Sequence, residues 1–414
     1  MSGGMEINML NEYISNKFDE CVRTNKDDRG SLIGLPFPYT VPSVADRFQE
    51  MYYWDTYFAN KGLIISKKTE QAKNNVDNII YMVEKFGYMP NGNRTHYLKS
   101  SQPPFLSLMV LDIYNETGDK NWLSGAVLAL EKEYSFWMSR RSTVTGLNRY
   151  GCNPEQPGYE GMADALEGRI GTATGLKTPE EKAEHFIASC ESGWDMTPRF
   201  EFRAFEYLPV CLNSLMYALE YNMAYFSKEL GNDEDLLWTR LAQNRAKIMR
   251  SLMLDGEGIF KDYNFVEKKF SPIFSAASVY PLFCGLASNE EALLLKEKLI
   301  SELETDYGIL ACVKNDFPGN YQWNYPNGWA PLQYMTVFGL LKYGFKTDAL
   351  RIAEKYVSLV EKNFETTNNL WEKYNVVEGT VNTNNEIFKM PPMIGWTAGV
   401  YLSCKKLIED SNEQ

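Results

Sequence analysis

Residues 187–203 read Ile-Ala-Ser-Cys-Glu-Ser-Gly-Trp-Asp-Met-Thr-Pro-Arg-Phe-Glu-Phe-Arg, so Asp195 follows directly on Gly193-Trp194. Far downstream, Leu370-Trp371-Glu372-Lys373-Tyr374 offers a second carboxylate between two aromatics. Two carboxyl groups facing each other across a pocket can cleave a glycosidic bond. One protonates the leaving oxygen, and the other activates water or attacks the anomeric carbon. The acid must hold its proton near neutral pH, and apolar surroundings help by penalising charge. Trp194 and Trp371 are placed to supply such surroundings. Asp195 and Glu372 are therefore the candidate pair, expected to meet across a sugar site. The bland alternative is chance, because 54 acids in the chain put some carboxylates beside tryptophan anyway.

Three polar-aromatic loops are candidate walls for that site. Asp46–Phe58 contains Arg47, Phe48, Trp54 and Asp55. Its rings can stack on a pyranose while Arg47 and Asp55 bond hydroxyls; equally, Arg47 can pair with Glu50 or Asp55 beneath an aromatic cluster. Pro90–Pro104 carries Asn91, Asn93, Ser101 and Gln102, neutral donors and acceptors that suit sugars and also suit tight turns and helix caps. Gln322–Gln333 sets Trp323 and Trp329 around Pro326-Asn327-Gly328, either as an aromatic wall or as a packed loop under a helix. Loop residues of this kind carry more functional weight than periodic helix positions, because packing does not dictate them.

Composition narrows the chemistry. With only 2 histidines, a multi-histidine metal site is excluded and a serine or cysteine triad is disfavoured. Acid–base work then falls to carboxylates, with no metal and no cofactor required. The net charge of −12 and the lack of a basic stripe argue against a nucleic-acid partner. No apolar run is long enough for a transmembrane helix. The first ten residues lack a basic segment followed by an apolar core, so no secretory signal is expected. The 7 cysteines are scattered, odd in number and free of Cys-x-x-Cys, which suggests reduced thiols and a cytoplasmic location. A monomer or small homo-oligomer acting on a small carbohydrate fits these limits.

The elements that must position the two carboxylates are helices. Spacings of three and four predict helices near 5–20, 54–66, 69–86, 103–116, 120–141, 179–188, 205–229, 233–253, 272–286, 289–303, 330–343, 346–364 and 394–409. Residues 1–46 read as an N-terminal helix and lead-in loop. Gly256–Asn264 reads as a small hairpin, and 142–178 as a long irregular loop near the site. No strand series accumulates. The fold expected is all-α, a single domain over 1–414, in which paired helices close into an (α/α)6 toroid of six inner and six outer helices.

The motifs taken together resemble the trehalase family of glycoside hydrolases. Arg47-Phe48-x-Glu50-x-Tyr52-x-Trp54-Asp55-x-Tyr57 is similar to its first signature. Gln322-Trp323-Asn324-x-Pro326-Asn327-Gly328-Trp329-Ala330-Pro331-Leu332-Gln333 is similar to its second. Asn91-Gly92-Asn93-Arg94, Ser101-Gln102-Pro103-Pro104, Glu191-Ser192-Gly193-Trp194-Asp195, Pro209-Val210-x-Leu212-Asn213, Glu372-Lys373-Tyr374 and Gly395-Trp396-Thr397 fall in the family's order across 47–397. The resemblance implies an (α/α)6 toroid and inversion at an α-linked glucose, with Asp195 as general acid and Glu372 as general base. It also implies a pocket lined by Arg47, Phe48, Trp54, Asp55, Asn91, Ser101, Gln102, Gly193, Trp194 and Trp323. Glu386 stands near a family glutamate ahead of Gly395-Trp396-Thr397, one residue out of spacing.

Departures from the family concern the second sugar. Arg-Ser-Gln-Pro-Pro is Ser100-Ser101-Gln102-Pro103-Pro104 here, and Arg-Pro-Glu-Ser-Tyr is Glu155-Gln156-Pro157-Gly158-Tyr159. Gln-Trp-Asp ends in Asn324, and Pro-Val-Asp-Leu-Asn carries Cys211. Serine has neither the reach nor the charge of an arginine fork. The expectation is hydrolysis of trehalose or another small α-glucoside. The alternatives are an α-glucoside or α-mannoside of a small acid or polyol such as glycerate, with Arg94, Lys99 or Arg199 meeting the acid, or an inactive sugar-binding protein.

Overall fold

The computed structural model describes residues 2–45, 47–170, 175–383, 390–392 and 395–413. Six helices that are apolar on nearly every face sit innermost: Tyr53–Ile65, Leu106–Thr117, Val210–Leu230, Tyr280–Phe283, Ala330–Lys342 and Gly395–Asn412. A helix without a polar face has to be covered all round. Each of these packs on the next in chain order, and the last returns to the first, which closes the ring.

Six amphipathic helices cover that ring from outside: Ser2–Glu20, Thr69–Phe86, Lys120–Arg140, Asp235–Met253, Asn289–Glu302 and Lys346–Thr367. Thr69–Phe86 shows why: Val76, Ile79, Met82 and Val83 form its buried stripe while Lys73, Glu84 and Lys85 face outward. The result is the all-α double ring of an (α/α)6 toroid. Its closure depends on small residues where the first and last inner helices cross. A Cβ on Gly62 would stand 2.7 Å from Gly399 Cα, and one on Gly399 would collide with the Phe58 carbonyl.

Three expectations need correction. The predicted helix 272–286 shrinks to a 3-10 turn, Ala276–Val279, and one α turn, Tyr280–Phe283. Pro281 donates no backbone hydrogen bond and suits only the first turn of a helix, and Gly285 at φ 75° ends it. The hairpin shifts out of Gly256–Asn264: Tyr263–Asn264 pairs with Lys269–Phe270 and with Tyr207–Leu208. The irregular stretch 142–178 contains the helix Met162–Ile170. That helix sits on a small apolar cluster of Leu166, Leu176, Phe186, Met196 and Tyr321, separate from the main core.

Long loops lead from each outer helix to the next inner one, and two buried ion pairs brace them. Arg141 clamps Glu191 through Nε and Nη2, both at 2.8 Å, and Glu191 also accepts from the backbone N–H of Ser101 and Gly151. Arg199 clamps Asp262 through two bonds of 2.8 Å. A buried pair satisfied in this way mainly fixes geometry, because desolvation offsets much of the attraction. Here the segment held between the two pairs carries Gly193, Trp194 and Asp195.

Candidate active site

Asp195, Glu372 and Asp55 open into one cavity of about 310 Å³ at the loop end of the ring. Small-ligand sites start near this size, about 300–1,000 Å³. Each carboxylate arrives on a different element. Asp55 lies in the first turn of the inner helix Tyr53–Ile65. Asp195 follows Gly193, whose φ of 73° turns the chain away from helix Pro179–Glu191; a Cβ there would meet the Trp54 ring at 2.8 Å. Glu372 precedes the short strand Lys373–Asn375, which pairs antiparallel with Asn327–Trp329.

Tryptophans hold these elements together. Trp323 stacks on Trp329 with ring centroids 3.9 Å apart and on Trp194 at 5.0 Å. Trp54 packs against Trp323 and against Trp396. The backbone is tied as well. The Gln322 amide donates to the Asp195 carbonyl, and the Trp323 N–H donates to the Met196 carbonyl at 3.1 Å. On the other side, Trp396 Nε1 donates to the Glu372 carbonyl at 3.0 Å, and Thr397 Oγ1 donates to the Trp371 carbonyl at 2.6 Å. The two carboxylates are therefore held by one aromatic block, not by independent loops.

The three acids have different neighbours. Burial pushes the Asp55 carboxyl up to about 8, and the facing charges of Glu372 and Asp195 add to the effect. Burial pushes Asp195 up to about 6; Glu372 adds to the rise, while the Arg169 guanidinium, 3.6 Å away, works against it. Glu372 is buried, and the Lys373 ammonium donates to its Oε2 at 3.0 Å. Lys373 in turn lies over the Trp329 ring. Two carboxyls raised above the usual range thus share one pocket with a third that is bonded to a buried ammonium, a set suited to acid–base chemistry at a glycosidic bond.

The residues expected from the sequence distribute as follows. Asp195, Glu372, Phe48, Trp54, Asp55 and Asn91 line the cavity, together with Gln102, Gly193 and Trp323. Phe48 adopts φ 59°, a conformation uncommon for a side-chain-bearing residue. Ser101 does not reach the cavity: its hydroxyl donates to the Met89 carbonyl at 2.6 Å and its N–H to Glu191. Trp194 is fully buried behind Trp323, and Arg47 is exposed outside the cavity wall. Glu50 pairs with Arg94 at 3.0 Å. Arg199 is committed to Asp262, so of the three cations expected to meet an acid only Lys99 lines the cavity. Glu386 lies outside the described residues.

Sequence reasoning missed Tyr52, Tyr97, Ser100, Met162, Arg169 and Cys190 on the walls, and also Gln322 and Trp396. Gln322 and Trp396 stood in recognised motifs without an assigned role, and Trp329, offered either as a wall or as packing, does line the cavity. Met162 and Arg169 had a signal of their own, the helical spacing of 162, 165, 166 and 169, hidden in a stretch rich in glycine and proline. Among the described residues no group of three or more His, Cys, Asp or Glu is arranged to hold a metal ion. None of their helices is long and apolar enough to cross a membrane.

Comparison with known proteins agrees with this geometry. A family model described as Trehalase matches residues 4–409. The periplasmic trehalase of Xanthomonas axonopodis pv. citri is 32% identical over 421 aligned positions, covering 95% of this chain and 72% of that protein. That of Xanthomonas oryzae pv. oryzae is 31% identical over 418 positions. Among solved structures, the neutral trehalase of Saccharomyces cerevisiae superposes with a TM-score of 0.77 at 31% identity, covering 90% of this chain and 74% of that one. A mannosylglycerate hydrolase of Thermus thermophilus, at 15% identity and a TM-score of 0.67, shares the fold; the match covers 95% of this chain and 99% of that one.

The periplasmic relatives overturn the cytoplasmic expectation. That expectation rested on the scatter of the cysteines. All seven are free, and all but Cys190 are buried. A buried free thiol behaves as a small hydrophobe, so the pattern records core packing and not the redox state of a compartment. Family model, relatives and fold converge with the carboxylate-lined, tryptophan-walled cavity, and the chain belongs to the trehalase family of glycoside hydrolases.

Proposed function

We propose that residues 1–414 act as one catalytic unit that hydrolyses trehalose or another small α-glucoside with inversion, Asp195 serving as general acid and Glu372 as general base. The observation that carries this reading is that these two side chains, far apart in sequence, open into the same cavity and press on each other electrostatically. Inversion needs room for a water between them, about 6.5–9.5 Å from carboxyl to carboxyl. Glu372 takes a proton from that water as its oxygen bonds to the anomeric carbon. Asp195 gives its proton to the departing oxygen. Asp55, protonated near neutrality, donates to a sugar hydroxyl from the helix N-terminus. The turnover leaves Glu372 protonated and Asp195 ionised, and solvent exchange restores both. Tryptophan faces such as Trp323 supply apolar contact for a pyranose ring. A small-carbohydrate substrate and a monomer or small homo-oligomer, with no nucleic-acid or membrane partner, complete the reading.

The test is hydrolysis of trehalose, kojibiose, nigerose and maltose across pH. At least one should be cleaved, and kcat/KM should fall as pH rises through about 6, because the Asp195 acid, raised to about 6, must still carry its proton. Failure to cleave any α-glucoside, or a rate that climbs through that range, would contradict the assignment.

A further inference from the structure

Two of the inner helices that shape the cavity begin without caps of the usual kind. At neither Tyr53–Ile65 nor Leu106–Thr117 does the side chain of the N-cap residue accept a hydrogen bond from the helix. The first N–H groups of a helix have no partner within it, and buried ones must find a partner elsewhere. Here the two helix starts cap each other. The Trp54 N–H donates to Gln102 Oε1 at 3.1 Å, just ahead of the second helix. The Leu106 N–H donates to the Tyr53 hydroxyl at 3.0 Å, in the first turn of the first helix. The Tyr53 N–H donates to the Asn91 carbonyl at 3.1 Å. Trp54, Asp55, Asn91 and Gln102 all line the cavity, so this exchange sets their spacing.

Having accepted from Leu106, the Tyr53 hydroxyl donates to Glu133 Oε1. Glu133 stands on the outer helix Lys120–Arg140 and is fully buried, as Tyr53 is, and neither opens into the cavity. The buried acids Glu191, Glu220 and Asp262 each face an arginine. Among the described residues no cation acts on Glu133; burial pushes its carboxyl up to about 7, against the pull of Tyr53 and Trp137 beside it. A carboxyl buried without a counter-ion is costly. What the position offers in return is an acceptor for the Tyr53 hydroxyl.

We infer that Tyr53 and Glu133 are positioning residues for the sugar site: the relay from the Leu106 N–H through the Tyr53 hydroxyl to the Glu133 carboxyl holds the starts of two inner helices in register, and with them Trp54, Asp55 and Gln102. An acceptor at the end of the chain polarises the hydroxyl and makes its oxygen a better partner for the N–H, since hydrogen bonds in series strengthen one another. An outer helix thereby acts on the cavity through two inner ones. This inference rests on the sugar-site reading above and adds to it two residues that lie outside the cavity.

Tyr53→Phe, Glu133→Leu and Glu133→Gln test it, each measured for KM and kcat on the best-cleaved α-glucoside, for calorimetric binding of D-glucose, and for a denaturation midpoint. Tyr53→Phe keeps the ring and removes the relay. It should raise KM and the glucose dissociation constant about tenfold, the equivalent of one net hydrogen bond. Its kcat should stay within about threefold of wild type, because Asp195 and Glu372 arrive on other elements. Glu133→Leu should act alike, and the double variant should be no worse than Tyr53→Phe alone, because the chain is already broken. Glu133→Gln keeps an acceptor oxygen and should hold both constants within about threefold of wild type. Should Glu133→Leu fail to fold, Tyr53→Phe and Glu133→Gln decide the matter. A folded Tyr53→Phe that loses stability yet keeps KM and glucose affinity would make the relay a brace of the fold alone and overturn the inference. So would a fall in kcat with KM unchanged, or effects of the two residues that add. Wild-type protein inactive on every α-glucoside would remove the glycosidase assignment, while glucose binding by the variants would still decide this inference. Absence of glucose binding as well would end both.

Discussion

Asp195→Asn should reduce kcat by about a thousandfold, the upper part of what a positioned general acid contributes, while the affinity for substrate measured by calorimetry stays within about threefold of wild type. The amide keeps the shape of the carboxyl and its place beside Arg169, but it has no proton to give. Binding should persist because groups on other elements, including Trp54, Asp55, Gln102 and Trp323, line the same cavity. The basic limb near pH 6 should vanish from the residual activity, since the group that titrates there is gone. A variant that keeps most of its rate would show that Asp195 does not donate the proton. One that loses binding in proportion to rate would show that it holds the sugar.

Glu372→Ala should reduce kcat by about three orders of magnitude as well, and added azide should restore turnover with a β-configured glucosyl azide as product. The physical basis is the Lys373 ammonium. It is buried and sits 3.0 Å from the carboxylate oxygen that the substitution removes. A small anion entering the vacated volume sits beside that ammonium and attacks from the face where water stood. The same contact predicts a cost in stability, because the substitution removes one hydrogen bond between charged groups, about 1.5–3 kcal/mol. A denaturation midpoint therefore belongs beside the kinetics, and azide also serves there, by raising the midpoint of the variant more than that of wild type under the same salt. Rescue giving an α-configured azide, or no rescue in a folded variant, would exclude Glu372 as the base.

Legibility in the sequence followed the physical role of each residue. Asp195, Trp54, Gln102 and Trp323 sit on loops or at helix entrances, where packing does not dictate the residue type, so they stood out in the sequence, and the fold brings them to one cavity. The inner and outer helices were legible because an all-apolar helix and a striped helix differ in pattern, as Val210–Leu230 and Thr69–Phe86 do. The Tyr280–Phe283 turn was not, because its apolar run continues past Pro281 and Gly285 without a change of period. Ser101 and Trp194 were placed correctly along the chain but turn away from the cavity, and side-chain direction in a loop follows from tertiary hydrogen bonds that no local spacing records. Arg169 escaped because its helix is nine residues long and flanked by glycine-rich segments. The cysteines misled because burial and compartment leave the same mark on composition.

Inversion ties all of these elements together, since it demands an acid on one side of the anomeric carbon and a water-activating base on the other. Proton NMR of the first turnovers on trehalose, before mutarotation, reads this directly. The account predicts α- and β-glucose in equal amounts from the earliest spectrum, the β anomer from the attacked sugar and the α anomer from the leaving one. An early spectrum with α-glucose alone would mean retention, and Glu372 could then not be activating water behind the bond that Asp195 breaks.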